Sequence, residues 1–283
     1  SHCTVRPRYQ TTAMNLTMLS IFPLYAMMVF HVSEGYVSEQ TRIVNGQGAQ
    51  KGQFPYQLSL QQRIFSGWFH MCGASILGPH KVLTAAHCVK ELGLESLSIV
   101  VGEYMLNIDE GDEVRIGVKQ VYIHPDNQLQ GVIKDDIAIV ILNKPISMDE
   151  YAQPIKLADE SFNTTGRLCT VSGWGLTESM QPSQKLRYSK TRIISLDQCK
   201  KELEPFGVVD DKSICTQSDT DQYIGPASMD SGGPLACDAN GQMIQVGVVS
   251  WGMLPVQNKP AVYTDVRQYL EWIYGVRESS SLV

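Results

Sequence analysis

The sequence has no CxxC pair among its seven cysteines, no run of basic residues, no low-complexity stretch beyond residue 42 and no repeat with a period of 20 to 50 residues. Each absence excludes something. Without CxxC spacing there is neither a zinc knuckle nor a dithiol redox motif. A formal net charge of −6 with no basic patch withholds the field that gathers phosphates, so nucleic acid is not an expected partner. Without a repeat, solenoids and arrays are excluded. Charged residues make up only 18% of the chain and hydrophobic ones 43%, which is too apolar for a disordered chain and enough for a sizeable core.

The cysteines that are present, Cys3, Cys72, Cys88, Cys169, Cys199, Cys215 and Cys237, are scattered. That distribution fits disulfides formed in an oxidising compartment, with Cys3 left over; the count alone leaves the pairing open. Residues 16–32 read LTMLSIFPLYAMMVFHV, an apolar run that is short and broken by Pro23. It reads as a secretory signal core, and Ser33 and Gly35 around Glu34 form a small-x-small cleavage pattern. Residues 1–35 are therefore read as an upstream extension and signal peptide, with a membrane-spanning signal-anchor as the alternative reading. The expected product is secreted and retains no membrane anchor.

Beyond residue 42 the recurring signal is the short strand. Residues 56–60 alternate apolar and polar, 98–101 are largely β-branched, and 137–142 form a continuous apolar run. Residues 168–171 and 243–250 repeat the theme, and Gly, Pro and Asn punctuate the chain between them. Only Val266, Tyr269, Leu270 and Ile273 carry the spacing of an amphipathic helix. The expected fold class is all-β with one C-terminal helix.

Three segments carry chemistry. Residues 83–88, LTAAHC, set His87 after a small-residue turn and beside a cysteine that can pin it. Residues 135–138, DDIA, put Asp136 at the mouth of an apolar strand, where burial would orient its carboxylate. Residues 229–234, MDSGGP, place two glycines behind Ser231, freeing the backbone for close approach to a substrate. Each segment alone has a bland structural reading; the three together, in this order, point to a shared purpose.

With VSGWG at 171–175 and VSWG at 249–252, these motifs resemble the chymotrypsin/trypsin family of serine proteases from Ile43 to about Ile273. The resemblance implies two packed antiparallel six-stranded β-barrels, about 43–150 and 151–265, followed by the helix. It implies a catalytic triad of His87, Asp136 and Ser231, with the backbone N–H groups of Met229 and Ser231 as the oxyanion hole. The His, Asp, Ser order argues against an α/β-hydrolase. TRIVNG at 41–46 resembles the activation junction: cleavage after Arg42 by a trypsin-like protease would remove residues 36–42 and leave residues 43–283 as the protease domain. The freed α-amino group of Ile43 would then pair with Asp230. Disulfides Cys72–Cys88, Cys169–Cys237 and Cys199–Cys215 are implied, as are protein or peptide substrates and protein protease inhibitors as partners.

The sequence departs from the family in three places. Ala227 and either Pro255 or Val256 stand where a further disulfide usually closes the substrate pocket, so the pocket walls are expected to be less constrained. Met229 replaces a glycine whose N–H should bind the oxyanion, which implies a slow enzyme or, in the rival reading, a weak or inactive homologue that serves as a binding module. Gly225 replaces the pocket-floor aspartate of trypsin-like members. With Ser250, Trp251, Gly252 and Ala261 it implies a preference for apolar or aromatic side chains, unless Asp221 reaches inward. No cofactor is required. Residues 103–113 resemble a calcium loop, with carboxylates from Glu103, Glu110 and Glu113 and carbonyls from Met105 and Ile108; a solvated acidic hairpin is the competing reading. Asn163-Thr164-Thr165 is a glycosylation sequon.

Overall fold

A computed structural model describes residues 46–65, 67–177, 179–253 and 258–277. The leader, the Arg42–Ile43 junction, Cys3, Pro255 and Val256 lie outside the described residues. Six strands, β2 (Gln57–Ile64), β3 (Gly67–Ile76), β4 (Lys81–Thr84), β5 (Leu97–Val101), β6 (Val114–Ile123) and β7 (Ala138–Leu142), close a barrel in the order β2-β3-β4-β7-β6-β5. A second ring runs through β9 (Leu168–Gly173), β10 (Arg187–Ile194), β11 (Ser213–Gln217), β14 (Ala261–Asp265), β13 (Gln242–Gly252) and β12 (Pro234–Ala239), which returns to β9. Two short strands, β1 (Gln47–Gly48) and β8 (Lys156–Leu157), pair onto this second ring at β10 and β13. All pairs within the two rings are antiparallel, and closure leaves neither with a bare edge.

Apolar burial holds each barrel together. All five residues of β7, AIVIL, are buried. At about 1.5–3 kcal/mol for each large aliphatic side chain, this strand alone supplies on the order of 10 kcal/mol before chain entropy is counted. Where the barrels meet, the contacts are polar instead: Ser75 Oγ donates to Gln245 Oε1 and Ser172 Oγ to Gln57 Oε1, each at 2.7 Å and buried. A hydrogen bond of this kind adds only about 1 kcal/mol net, so the cores stabilise and the seam orients.

Cys72–Cys88, Cys169–Cys237 and Cys199–Cys215 are disulfide-bonded. The last joins β11 to a helix the sequence pattern did not single out, α1 (Leu196–Leu203), whose N-cap Ser195 accepts the N–H of Gln198 at 3.2 Å. Its buried positions are Cys199 and Leu203, so its apolar stripe is too narrow to register as periodicity. At the C-terminus, Val266–Tyr269 forms a 3₁₀ segment that continues into α2 (Leu270–Gly275). Val266, Tyr269 and Ile273 are buried in the same apolar cluster as Leu58, Leu83 and Ile139 of the first barrel. Among the described residues no helix is long and apolar enough to cross a membrane.

Lys81 Nζ ties this C-terminal helix to β4 by donating to the carbonyls of Ile273 and Val276. Charge-assisted bonds to helix-end carbonyls are worth about 1.5–3 kcal/mol. Lys81→Met is therefore expected to lower unfolding stability by that amount, read from the urea midpoint at unchanged m-value.

Candidate active site

Strand register brings His87 and Asp136 together. β4 and β7 are antiparallel partners with Thr84 opposite Ala138. The chain leaves β4 and enters β7 at the same end of the barrel, so His87, three residues after Thr84, meets Asp136, two residues before Ala138. His87 lies in a 3₁₀ turn, Ala86–Cys88, which the Cys72–Cys88 disulfide anchors to β3. Asp136 Oδ1 accepts the His87 backbone N–H at 2.9 Å and Oδ2 lies 2.7 Å from His87 Nδ1. The second barrel completes the cage: Ser250 Oγ donates to Asp136 Oδ2 at 2.6 Å and Thr264 Oγ1 to the Asp136 carbonyl at 2.9 Å. Burial is the largest influence on the Asp136 carboxyl and pushes it up. The hydrogen bond and charge of His87, then the Ser250 hydroxyl and the His87 N–H, outweigh burial and hold it below the ordinary aspartate value.

Ser231 sits in a loop wedged between the barrels. Gly73 N–H on β3 donates to the Ser231 carbonyl at 2.8 Å, and Gly232 N–H donates to Val249 on β13 at 2.8 Å. Only glycine fits behind the serine: Gly232 has φ of +78°, and a Cβ there would fall 2.2 Å from Thr84 Oγ1 and 2.6 Å from the Gly73 carbonyl. Asp230, next to the serine, is fully buried and accepts Gly175 N–H at 2.7 Å and Ala227 N–H at 2.9 Å. No cation reaches it among the described residues. Burial pushes its carboxyl up to about 7, the Ala227 and Gly175 N–H groups offsetting only part of the effect.

Met229 takes φ of +77°, the left-handed conformation that glycine adopts without strain. Among the described residues neither Met229 N–H nor Ser231 N–H meets a protein acceptor, whereas the intervening Asp230 N–H donates to the Ala227 carbonyl at 3.0 Å. Beside Ser231 opens a cavity of about 220 Å³ walled by Pro226, Ala227, Val249, Met253 and Ala261 and by the 250–252 segment. Among the described residues none that lines it is charged. Gly225 is buried but does not line the cavity; a Cβ there would meet the Tyr223 hydroxyl at 3.1 Å. Asp221 is exposed, not turned inward.

A family profile described as Trypsin matches residues 43–273. The chain belongs to the trypsin family. It is also 33% identical over 273 residues to a mouse (Mus musculus) protein named Tryptase, an alignment covering 91% of this chain and 96% of that one. The structure also brings in what spacing could not signal: the side chains of Ser250 and Thr264, which hold Asp136, and His70, whose Nε2 lies 3.0 Å from the Met229 carbonyl. Serines and threonines are common in strands, and nothing local marks these.

The acidic loop of this trypsin-family chain sets its carboxylates near one another: burial, and then the charges of Glu113 and Glu110, push the Glu103 carboxyl up to about 7. Glu113 accepts the N–H groups of Glu110 and Gly111, Lys51 faces Glu110 and Asp112, and Glu103 accepts from Gln61. The Met105 carbonyl accepts Ile108 N–H, while Ile108 itself is exposed. The tight His/Cys/Asp/Glu group found among the described residues is Cys72, His87 and Cys88, whose two sulfurs form a disulfide.

The left-handed conformation costs a residue with a Cβ about 1–2 kcal/mol, and glycine loses about 0.5–1 kcal/mol more chain entropy than alanine on folding. Met229→Gly is thus expected to stabilise the protein by about 0.5–1 kcal/mol, measured as a rise in urea midpoint.

Proposed function

We propose that the chain is the precursor of a secreted serine endopeptidase, with residues 1–35 removed on secretion and residues 36–42 removed on activation. The observation that carries the reading is the bond between buried Asp136 and part-exposed His87, 2.7 Å long, in a trypsin-family chain whose Ser231 borders a cavity lined, among the described residues, by no charged side chain. In the reaction Ser231 Oγ attacks the scissile carbonyl while His87 Nε2 takes its proton; His87 then returns that proton to the leaving amine. Asp136, confined to accepting at Nδ1, keeps the opposite ring nitrogen free to act as base and offsets the imidazolium charge that forms. The N–H groups of Met229 and Ser231, unclaimed by protein acceptors, are the donors for the oxyanion. Water repeats the sequence on the acyl-enzyme.

The cavity supports apolar side chains at the residue before the cut bond, and protein inhibitors that present such a residue would occupy it. A lysine or arginine there would lie desolvated without a partner. Calcium, if it binds residues 103–113, would use Glu103, Glu110, Glu113 and the carbonyls of Met105 and Ile108 after Glu113 leaves its backbone donors; no catalytic step passes through it.

The decisive measurement is labelling. After cleavage at Arg42 by trypsin, a fluorophosphonate is expected to modify Ser231 rapidly, the uncleaved precursor slowly, and Ser231→Ala not at all. A peptide library should then show kcat/KM for Leu or Phe before the cut at least about a hundredfold above Lys or Arg. A cleaved protein that takes no label would replace this reading with a non-catalytic binding module, which the strain at Met229 favours.

Asp230 makes activation visible as a pH effect. Its folded value, about 7, is raised above the ordinary aspartate value of 3.8, so the folded chain holds the proton more tightly than the unfolded one. That stability is fully present below 3.8 and is lost as pH rises through about 7. The Ile43 α-amino group, released by cleavage, would supply the missing cation. Calorimetry is therefore expected to show a Tm difference, cleaved minus uncleaved, that grows between pH 4 and pH 7.5; a flat difference would refute the Asp230 pairing.

A further inference from the structure

A series of buried polar side chains outside the catalytic group ends on the peptide of Met229. Ser59 and Gln61 lie on β2 and His70 on β3, and all three are buried. Gln61 Nε2 donates to Ser59 Oγ at 3.1 Å and to Glu103 Oε2 at 3.2 Å, and Gln61 Oε1 accepts from Arg115 Nη2 at 2.8 Å. Ser59 Oγ lies 2.8 Å from His70 Nδ1, and His70 Nε2 lies 3.0 Å from the Met229 carbonyl oxygen.

Donor and acceptor chemistry gives this series one direction. A carbonyl can only accept, so His70 Nε2 carries the proton. Burial pushes His70 down to about 4, the Met229 carbonyl opposing it, so the ring is neutral at pH 7 and Nδ1 is an acceptor. Ser59 must then give its hydroxyl proton to Nδ1, leaving its lone pairs for the Gln61 amide hydrogen. Gln61 is oriented from its other side, because a guanidinium can only donate. Turning the amide over would set donor against donor at Arg115 and acceptor against acceptor at Ser59. Arg115 is itself fixed by Ser98 Oγ at 2.6 Å and by stacking 4.9 Å from the Trp68 ring centre.

We infer that Gln61 is a positioning residue for catalysis: oriented by Arg115, it fixes the Ser59 hydroxyl and the Nε2–H tautomer of His70, and so holds the Met229–Asp230 peptide beside the nucleophile. The inference rests on the proposed function, in which Met229 N–H serves the oxyanion. Met229 stays in a left-handed conformation that a glycine would tolerate freely, and Ala227 leaves its loop without a disulfide. With its carbonyl held by His70 and Asp230 N–H held by Ala227, the plane after Met229 cannot turn to relieve the strain. The opposite tautomer would bring an imidazole lone pair against the carbonyl oxygen and drive that plane away.

The test uses the cleaved enzyme with ¹⁵N-histidine label, in the wild type, Gln61→Met, Arg115→Met and Arg115→Lys. His70 is expected to show a single Nε2–H tautomer in the wild type and Arg115→Lys, and a tautomer mixture in Gln61→Met and Arg115→Met. In those two variants kcat should fall about tenfold with KM within twofold. Affinity for a peptide boronate, whose tetrahedral adduct places an oxygen in the oxyanion site, should fall about tenfold, while inhibition by indole, a neutral ligand for the cavity, stays unchanged. A single tautomer with unchanged kcat and boronate affinity in Arg115→Met would overturn the inference. Arg115 is exposed, so that variant decides the matter even where Gln61→Met does not fold. The tautomer is read independently of turnover: a wild-type chain without serine reactivity overturns the proposed function, whereas an unaltered tautomer in Arg115→Met overturns the relay.

Discussion

The buried carboxylate of Asp136 ties the two barrels to one another and to the histidine. Taking an isolated carboxylate out of water is expensive by several kcal/mol, so the fold must surround it with donors. Two come from His87 in the first barrel and one from Ser250 in the second. Displacing either barrel would strip a donor from a group that water does not reach. The carboxylate therefore makes the relative placement of β7 and β13 a condition of folding.

Asp230 shows what happens when the same side chain has fewer partners. Both aspartates are almost completely inaccessible, yet Asp136 lies below its ordinary value and Asp230 is raised to about 7. The difference is an imidazole and a hydroxyl: Asp230 has two backbone N–H groups and, among the described residues, no cation. One acid is fully compensated within the folded domain; among the described residues the other is not.

Strain and support are distributed accordingly. Gly232 is dictated by sterics, since the Thr84 hydroxyl and the Gly73 carbonyl occupy the space of any side chain. Met229, two residues before Ser231, has the same sign of φ without the same freedom. Around it the protein places a buried hydrogen-bonded series instead of apolar packing, and a buried polar chain is tolerable only when every member is satisfied. Ser59, Gln61 and His70 meet that condition.

Local sequence was enough for the parts of the fold in which each residue reports its own environment. The alternating run near residue 57, the β-branched run near 98 and the apolar run near 138 all lie in observed strands, because period-two patterning and continuous burial are properties of a strand by itself. The helix Leu196–Leu203 escaped, since half of its buried stripe is a cysteine that counts as core only once it is bonded to Cys215. In the same way LTAAHC, DDIA and MDSGGP were legible as motifs, and the family resemblance gave them an order. What only tertiary structure decided is everything that depends on pairing across long separations: Thr84 opposite Ala138, Ser250 on Asp136, Gly73 against Ser231, His70 on Met229. These partners are ordinary residues in ordinary strands. Their roles come from barrel closure and the polar seam, which set the distance and direction of each donor, and no local pattern encodes those.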